Sequence, residues 1–306
     1  MKTITLGKSS LIVPQVAVGC MRIGGMDKKS AETFVKTALD LGANFFDHAD
    51  IYGGGSCERV FAEAVGMSSS VRENLIIQSK CGIVPGKMFD FSKEHIISST
   101  EKILQRLNTE YLDVLLLHRP DALAEPEEVA EAFDALQSSG KVRNFGMSNQ
   151  DSSTLELFQR SIKQPLLVNQ VQFSITNASL ITQGMNMNTY ADIGTDRDNG
   201  TLNYCRLNNI TVQPWSPFQY GFFEGVFIGN EKFPALNAKL DEIAAKYALS
   251  NTTIALAWIL RHPAKMQPVT GTTNVSRLAD CVKATEIVLS REEWYEIYLA
   301  AGHRLP

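Results

Sequence analysis

Two apolar stretches decide the fold: residues 112–118, LDVLLLH, and residues 43–48, ANFFDH. Each is a short run of mostly aliphatic or aromatic side chains that ends in a polar one. A nearly continuous apolar run of this length is typical of a parallel β-strand that is buried on both faces. Strands of this kind indicate an α/β protein whose sheet is covered by helices.

The rest of the chain repeats the order strand, then helix. We predict strands at residues 16–20, 43–47, 74–79, 112–117, 142–147, 166–171, 210–214 and 267–270. We predict helices at residues 29–41, 56–66, 92–106, 126–137, 154–162, 202–207, 235–247, 251–262, 275–284 and 291–301. Eight strands in regular alternation with helices favour a closed barrel over an open sheet.

An open, doubly wound sheet is the alternative for such a pattern. It would bind a dinucleotide through a G-x-G-x-x-G turn after its first strand. The glycines at 24–25 and 53–55 lack that spacing. Residues 2–13 predict a β-hairpin around Gly7, and no change in composition marks a linker. The sequence therefore predicts one domain, 1–306: a (β/α)8 TIM barrel with an N-terminal β-hairpin and extra C-terminal helices.

Charge and cysteine content exclude several classes of protein. The net charge is −4 and no stretch concentrates Lys or Arg, which argues against a partner that is a nucleic acid or an anionic membrane. The five cysteines are far apart, which argues against a disulfide framework and a structural zinc site. No signal segment or long apolar run is present. We expect a cytoplasmic enzyme with a small-molecule substrate, and we predict no oligomeric state.

Polar side chains follow the predicted strands, at the face of a barrel where catalysis takes place. They are Asp47, Lys80, His118, Ser148, Asn149, Gln170, Trp215 and Ser216, with Tyr52 on the loop after Asp47. A phenol has a pKa near 10. A lysine within about 4–6 Å lowers that pKa, and a carboxylate keeps the lysine charged. We therefore expect Tyr52 to be a proton donor to a developing alkoxide, with His118 orienting the carbonyl oxygen.

A metal site is the alternative use of the same region. Asp47, His48 and Asp50 lie close together in sequence, and His118 could be a further ligand. Neighbouring residues on a strand point to opposite faces, so Asp47 and His48 should not converge. A lysine among the ligands would also repel a cation. We therefore predict no metal site.

These residues resemble a known family. The segment 42–53, GANFFDHADIYG, is similar to the first signature of the aldo-keto reductases. IIQSK, LDVLLLHRP, KVRNFGMSN and LLVNQVQ follow in the family's order and spacing. The resemblance covers essentially the whole chain. It implies a (β/α)8 barrel that reduces an aldehyde or ketone with NADPH, with NADH as a weaker alternative. It also implies Tyr52 as the general acid, Lys80 and Asp47 as the pair that tunes it, and His118 as the residue that orients the carbonyl.

The same resemblance implies a set of residues that bind the cofactor. They are Gly19, Cys20, Met21, Ser148, Asn149, Gln170, Trp215, Ser216, Phe218, Gly271, Thr272, Arg277 and Asp280. In this interpretation Trp215 stacks on the nicotinamide, and Arg277 and Thr272 bind the 2′-phosphate. Gly271 stands where many members have a lysine, so we expect a milder preference for NADPH.

A second function remains open from the sequence. The barrel could be a catalytically quiet, cofactor-binding subunit that regulates or binds a partner, as the potassium-channel β subunits of this family do. For a reductase, we expect two loops to shape the substrate pocket. They are residues 173–200, with Met185, Met187 and Tyr190, and residues 218–227.

Overall fold

Eight parallel strands close into a barrel, as predicted. The computed structural model describes residues 1–306. In chain order the strands are β1 (Thr3–Thr5), β2 (Ile12–Pro14), β3 (Ala17–Gly19), β4 (Phe45–Asp47), β5 (Ile76–Cys81), β6 (Ile83–Val84), β7 (Met88–Phe89), β8 (Leu112–Leu117), β9 (Val142–Ser148), β10 (Leu166–Gln172), β11 (Thr211–Trp215), β12 (Gln219–Tyr220), β13 (Gly225–Val226) and β14 (Val269–Thr270). Around the barrel the order is β3, β4, β5, β8, β9, β10, β11 and β14, and β14 pairs with β3 to close it.

The helices confirm the predicted alternation, and each predicted helix ends within two residues of its predicted bounds. They are α1 (Lys28–Asp40), α2 (Ser56–Val65), α3 (Ser69–Arg72), α4 (Lys93–Leu107), α5 (Pro126–Ser138), α6 (Ser152–Ser161), α7 (Ser179–Met185), α8 (Thr201–Leu207), α9 (Pro234–Tyr247), α10 (Asn251–Leu260), α11 (Val275–Lys283) and α12 (Arg291–Ala300). The sequence analysis missed α3, α7 and the short hairpins β6–β7 and β12–β13.

Strand β8 shows why its sequence is apolar at every position except Asp113. Val114 and Leu116 belong to a cluster of buried residues inside the barrel, whereas Leu115 and Leu117 belong to the larger core between strands and helices. All four side chains are fully buried. A strand that is covered on both faces needs apolar residues at successive positions rather than at alternate ones.

The predicted N-terminal hairpin is present, and it covers one end of the barrel. β1 pairs with β2 in antiparallel register, and Leu6 and Val13 join the cluster inside the barrel. Gly7 has a φ of +54°, and a Cβ atom there would lie 2.6 Å from the carbonyl oxygen of Leu167. The turn therefore needs glycine both for its backbone conformation and for its close contact with β10.

The C-terminal helices pack through a pair of tryptophans. The rings of Trp258 and Trp294 are stacked with centroids 4.8 Å apart. Each indole Nε1 donates a 3.0 Å hydrogen bond to the backbone carbonyl of the other residue. No single helix is both long and apolar enough to cross a membrane; only α9 and α10, which meet at a 94° bend, reach that length and composition together.

α7 lies in a segment that we expected to be a polar loop. It is seven residues long, has no side-chain cap at its N-terminus and contains Gly184. Nothing local therefore identifies it as a helix. It is held by tertiary contacts such as the 3.0 Å hydrogen bond from the Tyr298 hydroxyl to Thr182 Oγ1.

His48 and Asp47 point to opposite faces of β4, as the strand geometry predicts. His48 packs against Phe61 with ring centroids 4.7 Å apart, outside the barrel interior that holds Asp47. The His48 ring is fully buried, and neither ring nitrogen has a hydrogen-bond partner. Burial, together with the nearby Lys80 ammonium, lowers the pKa of His48 to about 3.

We expect this neutral histidine to make stability depend on pH. The unfolded chain binds a proton at His48 below about pH 6.5, whereas the folded protein does so only near pH 3. Stability is therefore lost as the pH falls from about 6.5 toward 3. Relative to wild type, His48→Phe should gain about 2 kcal/mol more at about pH 5 than at about pH 8. Urea unfolding at both pH values measures this difference, and an equal effect at both would contradict it.

Candidate active site

A cavity of about 850 Å³ opens at the C-terminal ends of the barrel strands. Asp47, Tyr52 and His118 line it, and Lys80 lies fully buried next to Asp47 and Tyr52. The other residues of the predicted site that line the cavity are Gly19, Met21, Ser148, Asn149, Gln170, Trp215, Ser216, Phe218, Gly271, Thr272 and Arg277. The topology thus brings together residues from seven of the eight barrel junctions, with Lys80 behind them at the eighth.

Lys80 is the centre of the hydrogen bonding beneath the cavity. Its Nζ lies 2.8 Å from Asp47 Oδ2 and 2.8 Å from the backbone oxygen of His48. A third hydrogen bond, of 3.2 Å, goes to the Tyr52 hydroxyl. The three hydrogens of the ammonium therefore all have partners, and one of them is held against the phenol.

The balance of burial and charge sets the protonation states of this group. Burial alone would lower the pKa of Lys80, but Asp47 and Tyr52 more than offset it, so the pKa is raised and Lys80 remains an ammonium. Burial raises the pKa of Tyr52 above its ordinary value of 10, and Lys80 reverses only part of that shift. The expectation of an unusually acidic phenol is therefore wrong in its net sign, although the ammonium acts in the expected direction.

His118 lies beside Tyr52 at the end of β8. The two ring centroids are 6.0 Å apart, and the rings meet edge to face at 82°. Burial and the positive charges of Lys80 and Arg119 lower the pKa of His118 well below its ordinary value. The imidazole is therefore neutral at pH 7, and it can hydrogen-bond an oxygen atom that lies against the Tyr52 hydroxyl.

A set of buried glutamines, which we call the glutamine column, supports Asp47 from inside the barrel. It consists of Gln78, Gln170, Gln213 and Gln267. The Nε2 atoms of Gln78 and Gln170 donate to Asp47 Oδ1 at 2.6 and 3.1 Å. Both also donate to Gln213 Oε1, at 2.8 and 3.0 Å. Gln213 Nε2 in turn donates to Gln267 Oε1 at 2.8 Å, and Gln267 Nε2 donates to the Pro14 carbonyl at 2.6 Å.

Three consecutive glycines carry the chain from Tyr52 into α2. Gly53, Gly54 and Gly55 have φ values of +56°, +61° and +86°. At position 55 a Cβ atom would lie 2.7 Å from the Arg106 side chain. Only glycine adopts such a left-handed run readily. These glycines therefore form the turn after Tyr52. Their role is structural, and they do not form a phosphate-binding motif of the G-x-G-x-x-G type.

A buried ion pair lies beneath the same turn. Glu58 is fully buried, pairs with Arg106 and accepts a 3.1 Å hydrogen bond from Ser79 Oγ. Burial, together with the nearby Glu58 carboxylate, raises the pKa of Asp50 to about 7. The loop that carries Tyr52 is thus flanked by charged groups that the cavity does not contact.

The cavity wall opposite Tyr52 presents amide and hydroxyl groups. Asn149, with a left-handed φ of +59°, donates through Nδ2 to the His118 carbonyl at 3.1 Å and to Ser148 Oγ at 2.9 Å. Trp215 Nε1 donates to Asn149 Oδ1 at 3.0 Å. The Trp215 ring stacks on Phe223, with centroids 5.6 Å apart, in the hairpin formed by β12 and β13. This hairpin overlaps the segment 218–227, which we expected to shape the pocket.

The far end of the cavity is rich in hydrogen-bond donors. Thr272 and Arg277 line it near the N-terminus of α11. Arg22, which the sequence analysis missed, also reaches this end and donates from Nη1 to the Gly271 carbonyl at 2.9 Å. A Cβ atom at Gly271 would lie 2.5 Å from the same nitrogen. Arg22 therefore adds a second guanidinium to this end of the cavity.

Several predicted residues lie away from the cavity. Cys20 is buried with its Sγ 3.7 Å from the Val18 carbonyl, and Asp280 faces Lys283 at 3.4 Å. Met185, Met187 and Tyr190 do not line it either, because their segment packs toward the C-terminal tail. The expectation that this segment shapes the pocket is wrong. No cluster of three or more His, Cys, Asp or Glu side chains is arranged to hold a metal ion.

Comparison with known proteins agrees with the fold and the geometry. Residues 15–300 match the sequence profile of the "Aldo/keto reductase family". The chain is 34% identical to an uncharacterized oxidoreductase of Bacillus subtilis, YcsN, over 95% of this chain and 96% of the relative. It is 31% identical to a 6-dehydroglucose reductase of Agrobacterium fabrum, over 95% of each chain.

A solved structure is similar over the whole barrel. The thermostable aldo-keto reductase Tm1743, in complex with the inhibitor epalrestat, superposes with a TM-score of 0.78 at 28% identity. The match covers 98% of this chain and 100% of that chain. The similarity therefore includes the hairpin and the C-terminal helices as well as the barrel strands.

We expect the glutamine column to contribute measurably to stability. Gln213→Leu would leave Gln267 Oε1 buried without its donor and would remove the one oxygen that accepts from the amides of Gln78 and Gln170. Buried polar groups without partners cost about 1–3 kcal/mol each, so we expect a loss of about 2–4 kcal/mol in the free energy of unfolding. Urea unfolding measures the loss, and Gln105→Leu, at an exposed position on α4, is the control. Equal stability of the two variants would contradict this expectation.

Proposed function

Because the chain belongs to the aldo/keto reductase family, we propose that it reduces an aldehyde or ketone with NADPH and that Tyr52 is the proton donor. One observation carries this proposal. A buried phenol shares a hydrogen bond with a charged lysine, and a neutral imidazole lies at its edge. That arrangement can protonate an oxygen atom and can stabilise the phenolate that results.

The residues that line the cavity fit NADPH. Arg277 and Arg22 provide guanidinium donors at one end, a group that suits phosphate oxygens. Ser148, Asn149 and Gln170 provide amide and hydroxyl groups at the other end, for the nicotinamide carboxamide. When it is bound, NADPH supplies the hydride that the carbonyl carbon accepts.

Tyr52 supplies the proton that completes the reduction. Its raised pKa keeps the hydroxyl protonated at neutral pH, so the proton is available. As it transfers to the carbonyl oxygen, negative charge develops on the phenol, 3.2 Å from the Lys80 ammonium. The charge is stabilised most strongly when it is fully formed, which favours the transfer. One hydride and one proton convert the carbonyl to an alcohol, and Tyr52 regains its proton from water.

Asp47 positions the Lys80 ammonium, and His118 positions the substrate carbonyl. Asp47 holds the Lys80 ammonium in place and charged, because it pairs with it at 2.8 Å. His118, neutral and at the edge of the Tyr52 ring, orients the carbonyl oxygen toward the hydroxyl. We assign the substrate to the space between these residues and the β12–β13 hairpin.

Other features support a small-molecule enzyme of the cytoplasm. All five cysteines are free and buried, as a reducing compartment permits. The Agrobacterium fabrum relative is named a 6-dehydroglucose reductase. We propose the same type of reaction here, for residues 1–306 as one domain, with no nucleic acid or membrane as partner.

We expect Tyr52→Phe to remove most of the turnover and to leave cofactor binding intact. The substitution removes the proton donor, a contribution of about 10²–10⁴-fold for general acid catalysis. NADPH oxidation with a panel of aldehydes, ketones and quinones measures turnover, and quenching of protein fluorescence measures NADPH affinity. A variant with wild-type rates would show that another group donates the proton. A wild-type protein that binds NADPH but reduces no carbonyl would support the quiet regulatory subunit instead.

We expect Arg277→Ala to weaken NADPH binding far more than NADH binding. Loss of a charge-assisted contact to the 2′-phosphate costs about 1.5–3 kcal/mol, or about 10–100-fold in Kd. NADH lacks that phosphate, so its Kd should change little. Fluorescence titration with both cofactors measures the ratio, and Arg291→Ala, on the exposed face of α12, is the control. Equal losses for NADPH and NADH would refute the assignment of Arg277.

A further inference from the structure

Arg119 is a charged residue of the cavity that the proposed reaction does not use. It follows His118 directly and lines the same cavity. Its guanidinium carbon lies 5.5 Å from the centroid of the Trp215 ring and 5.6 Å from that of Phe222. The side chain is therefore held between β8 and the β12–β13 hairpin, on the side of the cavity where we place the substrate.

No group of the protein neutralises Arg119. The arginines that form ion pairs are Arg72, Arg106, Arg143 and Arg160. Arg119 is half-buried, and it makes only contacts with aromatic rings, which leave its N–H donors unused by the protein. Guanidinium groups carry five donors in a planar fork that matches a carboxylate.

The charge of the whole cavity also favours an anionic ligand. Its charged lining residues are three arginines, Arg22, Arg119 and Arg277, and one acid, Asp47. Lys80 already pairs with that acid at 2.8 Å. The cavity is therefore positive inside a chain whose net charge is −4. A positive cleft attracts and retains anionic ligands.

The three arginines lie at two different ends. Arg22 contacts Gly271, and Arg277 lies in the first turn of α11, so both belong to the end that we assign to the cofactor phosphates. Arg119 lies beside His118, where burial lowers the pKa of its guanidinium and the nearby Tyr52 offsets part of that shift. A phosphate bound at the far end would not accept hydrogen bonds from the Arg119 guanidinium. A ligand that extends from Tyr52 toward the hairpin could accept them.

We propose that Arg119 is a specificity residue that binds the carboxylate of an anionic substrate, so that the preferred substrates are aldehyde or keto acids. This inference rests on the proposed reductase function, and it names the substrate class of that same site. The carbonyl lies against Tyr52 and His118, and the carboxylate lies against Arg119. Trp215 and Phe222 lie beside the chain that joins the two groups.

The test compares acids with their neutral esters. The probes are 4-formylbenzoate, 4-oxobutanoate and 5-oxopentanoate, each beside its methyl ester, because the ester keeps the carbonyl and removes the charge. We expect the wild-type kcat/KM for at least one acid to exceed that of its ester by about ten-fold or more, the effect of one charge-assisted hydrogen bond. Arg119→Met should abolish this ratio by lowering kcat/KM far more for the acids than for the esters, and Arg119→Lys should keep part of it. Arg291→Met should leave the ratio unchanged.

A binding measurement separates this inference from the proposed function. Calorimetric titration of the NADPH-loaded wild type and Arg119→Met with benzoate and with benzamide requires no turnover. Tighter binding of benzoate than of benzamide in the wild type alone would support the proposal even if no aldehyde were reduced. Equal binding of the two, or an equal loss of both acid and ester turnover in Arg119→Met, would overturn it. Reduction of the esters by the wild type would still uphold the reductase function.

Discussion

The buried ion pair between Lys80 and Asp47 is the interaction on which the rest of the site depends. Both side chains are at most 2% exposed, and removal of such charges from water costs several kcal/mol for each ion. The pair is stable because the other hydrogen-bonding positions are filled. Lys80 also donates to a backbone carbonyl and to Tyr52, and Asp47 accepts from two glutamine amides. The position of the proton donor is thus a consequence of how these charges are satisfied.

The support for that pair extends through the interior of the barrel. Barrels of this kind are usually filled by layers of branched apolar side chains. Here part of the interior is an apolar cluster that includes Leu6 and Val13 of the hairpin, and part is the glutamine column. The last member of the column, Gln267, donates to the carbonyl of Pro14 in the hairpin. The hairpin therefore covers one end of the barrel and also accepts the last hydrogen bond of the chain that begins at Asp47.

Sequence patterns identified the strands and the polar residues at their ends. They do not show which of two opposing effects on a pKa is larger. Asp47, Lys80 and His118 could be placed on one face because each lies at the end of a predicted strand. The net acidity of Tyr52 could not be predicted, because its sign depends on whether burial or the nearby ammonium dominates. Of the glutamine column only Gln170 was predicted as a site residue. Gln78, Gln213 and Gln267 were missed, because an amide within a strand pattern does not reveal whether it faces water or the barrel interior.

Arg22 and Gly271 are distant in sequence but in contact at one end of the cavity. They are 249 residues apart, and β14 and β3 are neighbours only because the barrel closes. A side chain at position 271 would collide with the guanidinium, at 2.5 Å from Nη1. The absence of a side chain at Gly271 leaves room for the guanidinium of Arg22, which follows β3. The milder preference for NADPH therefore stays an expectation, because a second guanidinium lies near the position where many members of the family have a lysine.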